Sequence, residues 1–326
     1  MDSPGARCCC AGDRDDVKIA FVFPGQGSQS VGMMQSFGEL PGVRETFAQA
    51  SELLGQDLWK LAAEGPAQEL NLTTNTQVVM LVAGVALYLA WQARQGSAPA
   101  IMAGHSLGEY PALVASGALD FAVAVPLVRF RARAMQEAVP DGVGAMAAIL
   151  GLDDDAVRAL CAEASSANEV AEAANFNSPA QVVIAGNRAA VERGMEIAKT
   201  RGAKRAVLLP MSAPSHCSLM QPAALRMREQ LGNTSFRRGT VPVLHNADVK
   251  SAESADAIKD ALVRQMVQPV RWVETVRKMV SNGVTHIVEC GPGKVLTGLN
   301  KRIAPEAGIL SFSDGAAFGQ ALSVLK

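Results

Sequence analysis

Aromatic side chains are scarce, 5% of 326 residues with two tyrosines and three tryptophans. That leaves no platform on which nucleic-acid bases could stack, so the core must be built from Ala, Val, Leu, Ile and Met. No excess of either charge exists: 30 Lys and Arg face 31 Asp and Glu, for a formal net charge of -1. A polyanion partner such as nucleic acid is therefore not expected, and the mixed charge is compatible with a monomer. The six cysteines form no framework, since Cys8, Cys9 and Cys10 are contiguous while Cys161, Cys217 and Cys290 are scattered. This usage fits a reducing, cytoplasmic compartment, and no Cys-x-x-Cys pair or nearby His argues for a metal. Residues 1–16 mix Asp, Arg, Gly and Cys without an apolar centre and read as a disordered leader, not a signal peptide. The uncharged run Leu70 to Ala93 starts too polar for a membrane span and reads as a helix buried against a sheet.

What is present is a hydrophobic content of 49%, enough for a large domain carrying an insertion. Val17 to Phe23 reads as a buried strand ending in the loop Pro24-Gly25-Gln26-Gly27-Ser28-Gln29. Helices are predicted over 43–54, 76–94 and 120–138, the last N-capped by Asp120 and carrying Pro126. The middle third changes rhythm. Strands over 145–150, 170–176, 181–185 and 205–209 alternate with helices over 153–166 and 188–201, the split β-α-β-β-α-β pattern of a ferredoxin-like unit. The α/β rhythm then returns, with helices over 219–231, 255–266 and 271–282, strands over 241–244 and 284–289, and a last helix through Ile303. The expected fold is an α/β, hydrolase-like large domain with a parallel sheet (17–140 and 207–313), an inserted ferredoxin-like small domain (141–206), and a C-terminal segment (314–326).

The chemistry centres on Gly104-His105-Ser106-Leu107-Gly108-Glu109, which follows the apolar run 99–103 and opens a second apolar stretch. In that setting G-x-S-x-G is a nucleophile elbow, a tight strand-to-helix turn presenting the serine hydroxyl at the end of a sheet. A serine needs a base to take its proton, and the chain has four histidines. His105 adjoins Ser106, but neighbouring side chains on a sharp turn point apart. His286 interrupts an apolar strand and reads as structural, whereas His245 follows a short strand and stays open. His216, in the loop Pro214-Ser215-His216-Cys217 between a strand and a helix, is the preferred base. Asp248, Asp256, Asp260 and Glu289 are candidate orienting acids, none compelling, and a main-chain carbonyl would serve as well. In Arg129-Phe130-Arg131-Ala132-Arg133, helical geometry sweeps three alternate arginines round the helix, so that one must approach the interior.

The chain resembles the malonyl-CoA:acyl carrier protein transacylases, part of the acyltransferase family of fatty acid and polyketide synthesis. The resemblance runs from about Ile19 to Phe312. It rests on Phe21-Val22-Phe23-Pro24-Gly25-Gln26-Gly27-Ser28-Gln29, the elbow through Tyr110, Gly144 to Ile149, Asn175-Phe176-Asn177-Ser178-Pro179, Pro214 to Cys217, and Glu289-Cys290-Gly291-Pro292-Gly293. It implies that Ser106 carries the acyl group as an ester and that His216 is general base and acid, oriented by the main-chain carbonyl of Gln265. It implies an oxyanion hole from the N–H groups of Gln26 and Leu107. Arg131 would hold the malonyl carboxylate as a bidentate pair, and His105, Asn175 and Asn177 would shape the pocket. The implied partners are malonyl-CoA and holo acyl carrier protein, with no cofactor. Lys294 and Arg302 are candidates for coenzyme A phosphates or the acidic carrier. A trans-acting polyketide acyltransferase, a serine thioesterase or carboxylesterase, and a non-catalytic carrier-docking module are the alternatives.

Overall fold

The computed structural model describes residues 17–211 and 213–326. The expected leader, and with it Cys8, Cys9 and Cys10, lies outside the described residues. The strands are β1 (Ile19–Phe23), β2 (Ile101–Gly104), β3 (Gly144–Leu150), β4 (Ala171–Ser178), β5 (Gln181–Asn187), β6 (Arg205–Leu208), β7 (Val243–Leu244), β8 (His286–Glu289) and β9 (Gly308–Ser311). They form a five-stranded sheet in the order β7-β2-β1-β8-β9 and a four-stranded one in the order β4-β5-β3-β6. Every pairing in the first is parallel, and every pairing in the second is antiparallel. The chain is thus an α/β protein with a larger parallel-sheet domain and a smaller antiparallel one. With helices Asp154–Ala164 and Arg188–Thr200 following β3 and β5, the small sheet has the expected split β-α-β-β-α-β layout.

The sequence of β1, Ile-Ala-Phe-Val-Phe, explains why it lies at the centre of the large sheet. All five residues are buried, as a parallel strand covered on both faces requires. Side chains alternate across a strand, so Ile19, Phe21 and Phe23 enter one core while Ala20 and Val22 enter another. On the first face lies helix Thr73–Ala93, whose Tyr88 and Trp91 meet Phe21 edge-on at 5.9 and 5.5 Å. This helix is long and apolar enough to cross a membrane. Here it is packed in the core, buried from Asn75 to Trp91 except at Leu89. On the second face, Trp272, Val276 and Met279 of helix Trp272–Ser281 pack with Leu296 and Leu299.

Several predicted boundaries move by a few residues. The first strand begins at Ile19 rather than Val17, and the strand expected over 241–244 shortens to β7. Pro242 cannot donate to a ladder, although its carbonyl accepts from Met102 N at 2.9 Å. Helix Phe121–Glu137 runs through Pro126 as expected, but Asp120 makes no capping bond, and its carboxylate instead accepts from Arg237 at 3.0 Å. The helices Leu58–Glu64 and Ala67–Asn71, strand β9 and helix Gly315–Leu325 were not anticipated. β9 is half-buried throughout and lacks an alternating pattern. The last helix did carry a signal, since Asp314 caps it by accepting from Ala317 N at 2.8 Å.

Because β1 and β2 are parallel, with Phe23 opposite Gly104, the glycine-containing loop after β1 and the elbow after β2 emerge side by side. That is the carboxyl edge at which open α/β sheets place their sites.

Candidate active site

Strand β2 delivers Ser106 into a 3-10 turn, Ser106–Gly108, that runs directly into helix Glu109–Ala115. The turn is tight enough that a Cβ on Gly104 would fall into the main chain of Gly108, and one on Gly108 into the Phe23 carbonyl. Ser106 itself adopts φ 54°, a left-handed conformation costly for a residue with a side chain. Asn246, just beyond β7, fastens the turn. Its Nδ2 donates to the Gly104 carbonyl at 2.6 Å, and its Oδ1 accepts from Ser106 N at 2.7 Å.

Ser106 Oγ lies 2.7 Å from Nε2 of His216. The other ring nitrogen, Nδ1, is 2.8 Å from the main-chain carbonyl of Gln265. A carbonyl can only accept, so Nδ1 carries the hydrogen and Nε2 is free to accept from the serine hydroxyl. His216 is buried, and its pKa is pulled down to about 3, first by burial and then by the nearby Arg131 charge. The neutral imidazole needed of a base is therefore its stable form. The other histidines are engaged elsewhere. His105 Nε2 bonds Asn177 Oδ1 at 2.7 Å with its ring against Trp272, His245 Nδ1 meets Glu109 Oε1 at 2.6 Å, and His286 Nδ1 lies 3.0 Å from Thr285 Oγ1. None of the candidate acids serves His216. Asp248 and Asp260 accept from Arg264, Asp256 is exposed, and Glu289 accepts from Leu296 N and Thr297 N. Burial raises the Glu289 pKa to about 7.

Of the three alternate arginines, Arg133 is exposed, Arg129 half-buried and Arg131 fully buried. The guanidinium of Arg131 reaches Gln77 Oε1 at 2.7 Å, Gln265 Oε1 at 2.9 Å and Ser106 Oγ at 3.4 Å. Its Nε has no partner. A buried cation held only by amide and hydroxyl oxygens is under-compensated, and burial lowers its pKa. Beside it, burial pushes Tyr110 up to about 12, which keeps the phenol neutral.

These groups meet in a cavity of about 160 Å³ between the two sheets. The large domain contributes Gln26, Gln77, His105, Ser106, Leu107, Arg131 and His216; the small one contributes Met146, Asn175, Asn177 and Val183. Every predicted site residue except Gln265 lines this cavity, and Gln265 sits directly behind His216 and Arg131. Lys294 and Arg302 are exposed and do not line the cavity; Lys294 precedes the helix Val295–Ile303 and Arg302 lies in its last turn, while Val295, Leu296 and Leu299 of that helix form part of the wall. Sequence reasoning missed Asn246, Gln77 and the side chain of Gln265. Only Asn246 left a trace, as a polar residue at the carboxyl edge after a short strand. Among the described residues, no three His, Cys, Asp or Glu side chains converge as a metal site, and Cys161, Cys217 and Cys290 are buried free thiols.

Comparison with known proteins agrees with this geometry. The acyl transferase domain family matches residues 20–305. The malonyl CoA-acyl carrier protein transacylase of Escherichia coli K12 is 54% identical over 308 residues, covering 94% of this chain and 99% of that protein. The crystal structure of an acyl-carrier-protein S-malonyltransferase from Burkholderia pseudomallei superposes with a TM-score of 0.92 at 60% identity, over 94% of this chain and 99% of that one. A malonyl-transacylase solved with a type II polyketide synthase acyl-carrier protein matches with a TM-score of 0.92 at 49% identity, over 94% and 99% of the two chains. The chain belongs to the acyl transferase family, among its malonyl-CoA:acyl carrier protein transacylases.

Proposed function

We propose that this chain moves the malonyl group of malonyl-CoA to the phosphopantetheine thiol of holo acyl carrier protein through an ester on Ser106, supplying fatty acid synthesis. The observation that carries this reading is Arg131, a fully buried cation 3.4 Å from the Ser106 hydroxyl with no carboxylate among its hydrogen-bond partners. A substrate that brings its own carboxylate completes the site.

In the first half-reaction, Ser106 Oγ attacks the thioester carbon while its proton passes to His216 Nε2. The imidazolium so formed is oriented by the Gln265 carbonyl. The N–H groups of Leu107 and Gln26 stabilise the oxyanion, and His216 returns the proton to the departing coenzyme A thiolate. In the second half, His216 takes the proton of the carrier thiol, the thiolate attacks the malonyl ester, and Ser106 leaves as the alcohol. Arg131 holds the malonyl carboxylate bidentately throughout. Acetyl-CoA leaves the guanidinium unpaired, which disfavours it. Asn175 and Asn177 from the small domain, and His105 from the large one, shape the wall of the pocket. A thioesterase reading lacks the acidic partner for His216 that a hydrolytic triad uses.

In this reading residues 17–140 and 209–313 form the catalytic domain and 141–208 the small domain, two residues beyond the boundary expected from the sequence because β6 stays paired with β3 through Leu208. The enzyme acts as a cytoplasmic monomer, and no cofactor takes part. The test is the intact mass of the protein after incubation with malonyl-CoA alone. A malonyl adduct mapping to Ser106, absent with acetyl-CoA and cleared by holo acyl carrier protein, is the expected result. Steady release of coenzyme A without an adduct indicates a hydrolase instead.

A further inference from the structure

Behind the cavity lies a buried polar chain in which Glu109, His245 and the side chain of Gln265 have no part in the reaction above. Glu109, on the first turn of the helix leaving the elbow, is fully buried, and so is Gln265; His245, at the end of β7, is nearly so. Both Glu109 oxygens act as acceptors, Oε1 toward His245 Nδ1 at 2.6 Å and Oε2 toward Gln265 Nε2. Gln265 Nε2 also donates to the Ser106 carbonyl at 2.9 Å, and Gln265 Oε1 accepts from Arg131 at 2.9 Å.

The geometry points to Glu109, backed by His245, as the positioning residue that aims Arg131 at the substrate carboxylate. This rests on the reading of Arg131 given above. A glutamine amide has an acceptor end and a donor end of nearly the same shape, so its neighbours alone decide which way it faces. Arg131 has only donors to offer and needs the oxygen. Glu109 and the Ser106 carbonyl both present acceptors to the other end, which can be met only by the amide nitrogen, and Glu109 is the charged one of the two. His245 occupies the second Glu109 oxygen and keeps the carboxyl group from turning away. The amide is thereby locked, and the Arg131 guanidinium is held by Gln77 on one nitrogen and Gln265 on the other. What it has left faces Ser106 and the incoming acyl group. If Gln265 flips, donor meets donor and the guanidinium is driven from its place.

The test measures kcat/KM for malonyl-CoA and for acetyl-CoA in the full-length enzyme and takes their ratio. Glu109→Gln, which has the same shape but replaces the charged acceptor on the amide nitrogen and leaves only the Ser106 carbonyl to direct it, is expected to lower the malonyl-to-acetyl ratio about tenfold, the scale of one charge-assisted hydrogen bond. The loss is expected in the KM for malonyl-CoA rather than in kcat, because His216 is oriented by the Gln265 main chain. His245→Leu removes the donor to Glu109 and is expected to act in the same direction. His245→Asn, whose amide can stand where Nδ1 stood, is expected to recover most of the ratio. That pair also decides the matter if Glu109→Gln fails to fold. A ratio unchanged or increased in Glu109→Gln and in His245→Leu overturns the inference, as does equal loss in His245→Leu and His245→Asn. Arg131→Ala run alongside separates the two levels. If it leaves the ratio intact, the reading of Arg131 itself is wrong; if it alone collapses the ratio, only the positioning role falls.

Discussion

Ser106 and His216 share a 2.7 Å hydrogen bond and an uncommon backbone, with φ 54° at the serine and 63° at the histidine. Neither is glycine, and a side chain in this region costs about 1–3 kcal/mol. The surroundings enforce both conformations. Asn246 ties down the serine amide, and the Gln265 carbonyl holds the imidazole. The two groups that must react are thus pushed toward each other by turns that neither residue would choose in isolation.

Strain held for function should be recoverable when function is given up. Ser106→Gly removes both the hydroxyl and the side-chain penalty at positive φ, whereas Ser106→Ala removes only the hydroxyl. Both variants are expected to form no malonyl adduct. The glycine variant is expected to be more stable than the alanine variant by about 1 kcal/mol, a rise of about 1.5 °C in melting temperature for a chain of this size. Thermal denaturation of the two side by side checks this, and equal melting temperatures would falsify the claim that the elbow stores strain.

The depressed pKa of His216 has a signed consequence for pH. In the folded chain the imidazole stays neutral down to about 3, while in the unfolded chain it takes up a proton near its ordinary value of about 6.5. Below that value the unfolded state binds more protons, so this group's contribution to stability is present above about pH 6.5 and is lost as pH falls toward the folded value. His105, lowered by burial, acts in the same direction. Melting temperature is expected to fall between pH 7 and pH 5, and less so in His216→Asn. The rate of Ser106 acylation is expected to stay nearly level over the same interval, because the base is not being protonated. A rate that halves near pH 6.5 contradicts the buried-neutral state of His216.

After burial, the Arg131 charge is the next cause of the low His216 pKa, so the two residues are linked electrostatically as well as through Gln265. Arg131→Ala removes that cation and is expected to move the acid limb of the acylation rate upward, toward the ordinary histidine range. Malonyl preference over acetyl is expected to drop about 100-fold with the loss of a buried pair. Arg131→Lys should restore little of it, since one ammonium cannot satisfy Gln77, Gln265 and a two-oxygen carboxylate together. The pH–rate profile of acetyl transfer reads the first effect, and substrate competition reads the second.

Much of this was legible in the sequence because it is local. The elbow is written in Gly104 and Gly108, whose missing side chains make room for the turn, and β1 is announced by an unbroken apolar run. The burial of one arginine among Arg129, Arg131 and Arg133 follows from alternation on a helix, although spacing alone did not say which. What could not be read is what the fold assembles from afar. Gln77, Asn246 and the side chain of Gln265 are ordinary polar groups in their own segments, and their roles appear only when a helix, a loop after β7 and a second helix converge on Ser106 and Arg131. The edge strand β9 escaped notice for a related reason, being short, half-buried and without alternation.

Asn246 offers the sharpest test of that long-range assembly. Its amide spans the elbow, donating to the Gly104 carbonyl at 2.6 Å and accepting from Ser106 N at 2.7 Å. Asn246→Ala strands one buried acceptor and one buried donor, each worth about 1–3 kcal/mol when left unsatisfied. A loss of several degrees in melting temperature is therefore expected. The kinetic effect should be selective. Releasing the Ser106 amide lets the hydroxyl leave its line with His216, and small misplacements of a reacting atom cost about 100-fold in rate. Arg131 is held by Gln77 and Gln265 and not by Asn246, so KM for malonyl-CoA is expected to change by no more than a few-fold while kcat falls. Asn246→Asp keeps the acceptor for Ser106 N but sets a second oxygen against the Gly104 carbonyl, and it is expected to recover little. Steady-state kinetics on the two variants, with melting curves to confirm folding, check this. A kcat near the parent's in Asn246→Ala means that the elbow holds its serine without help from the far side of the sheet.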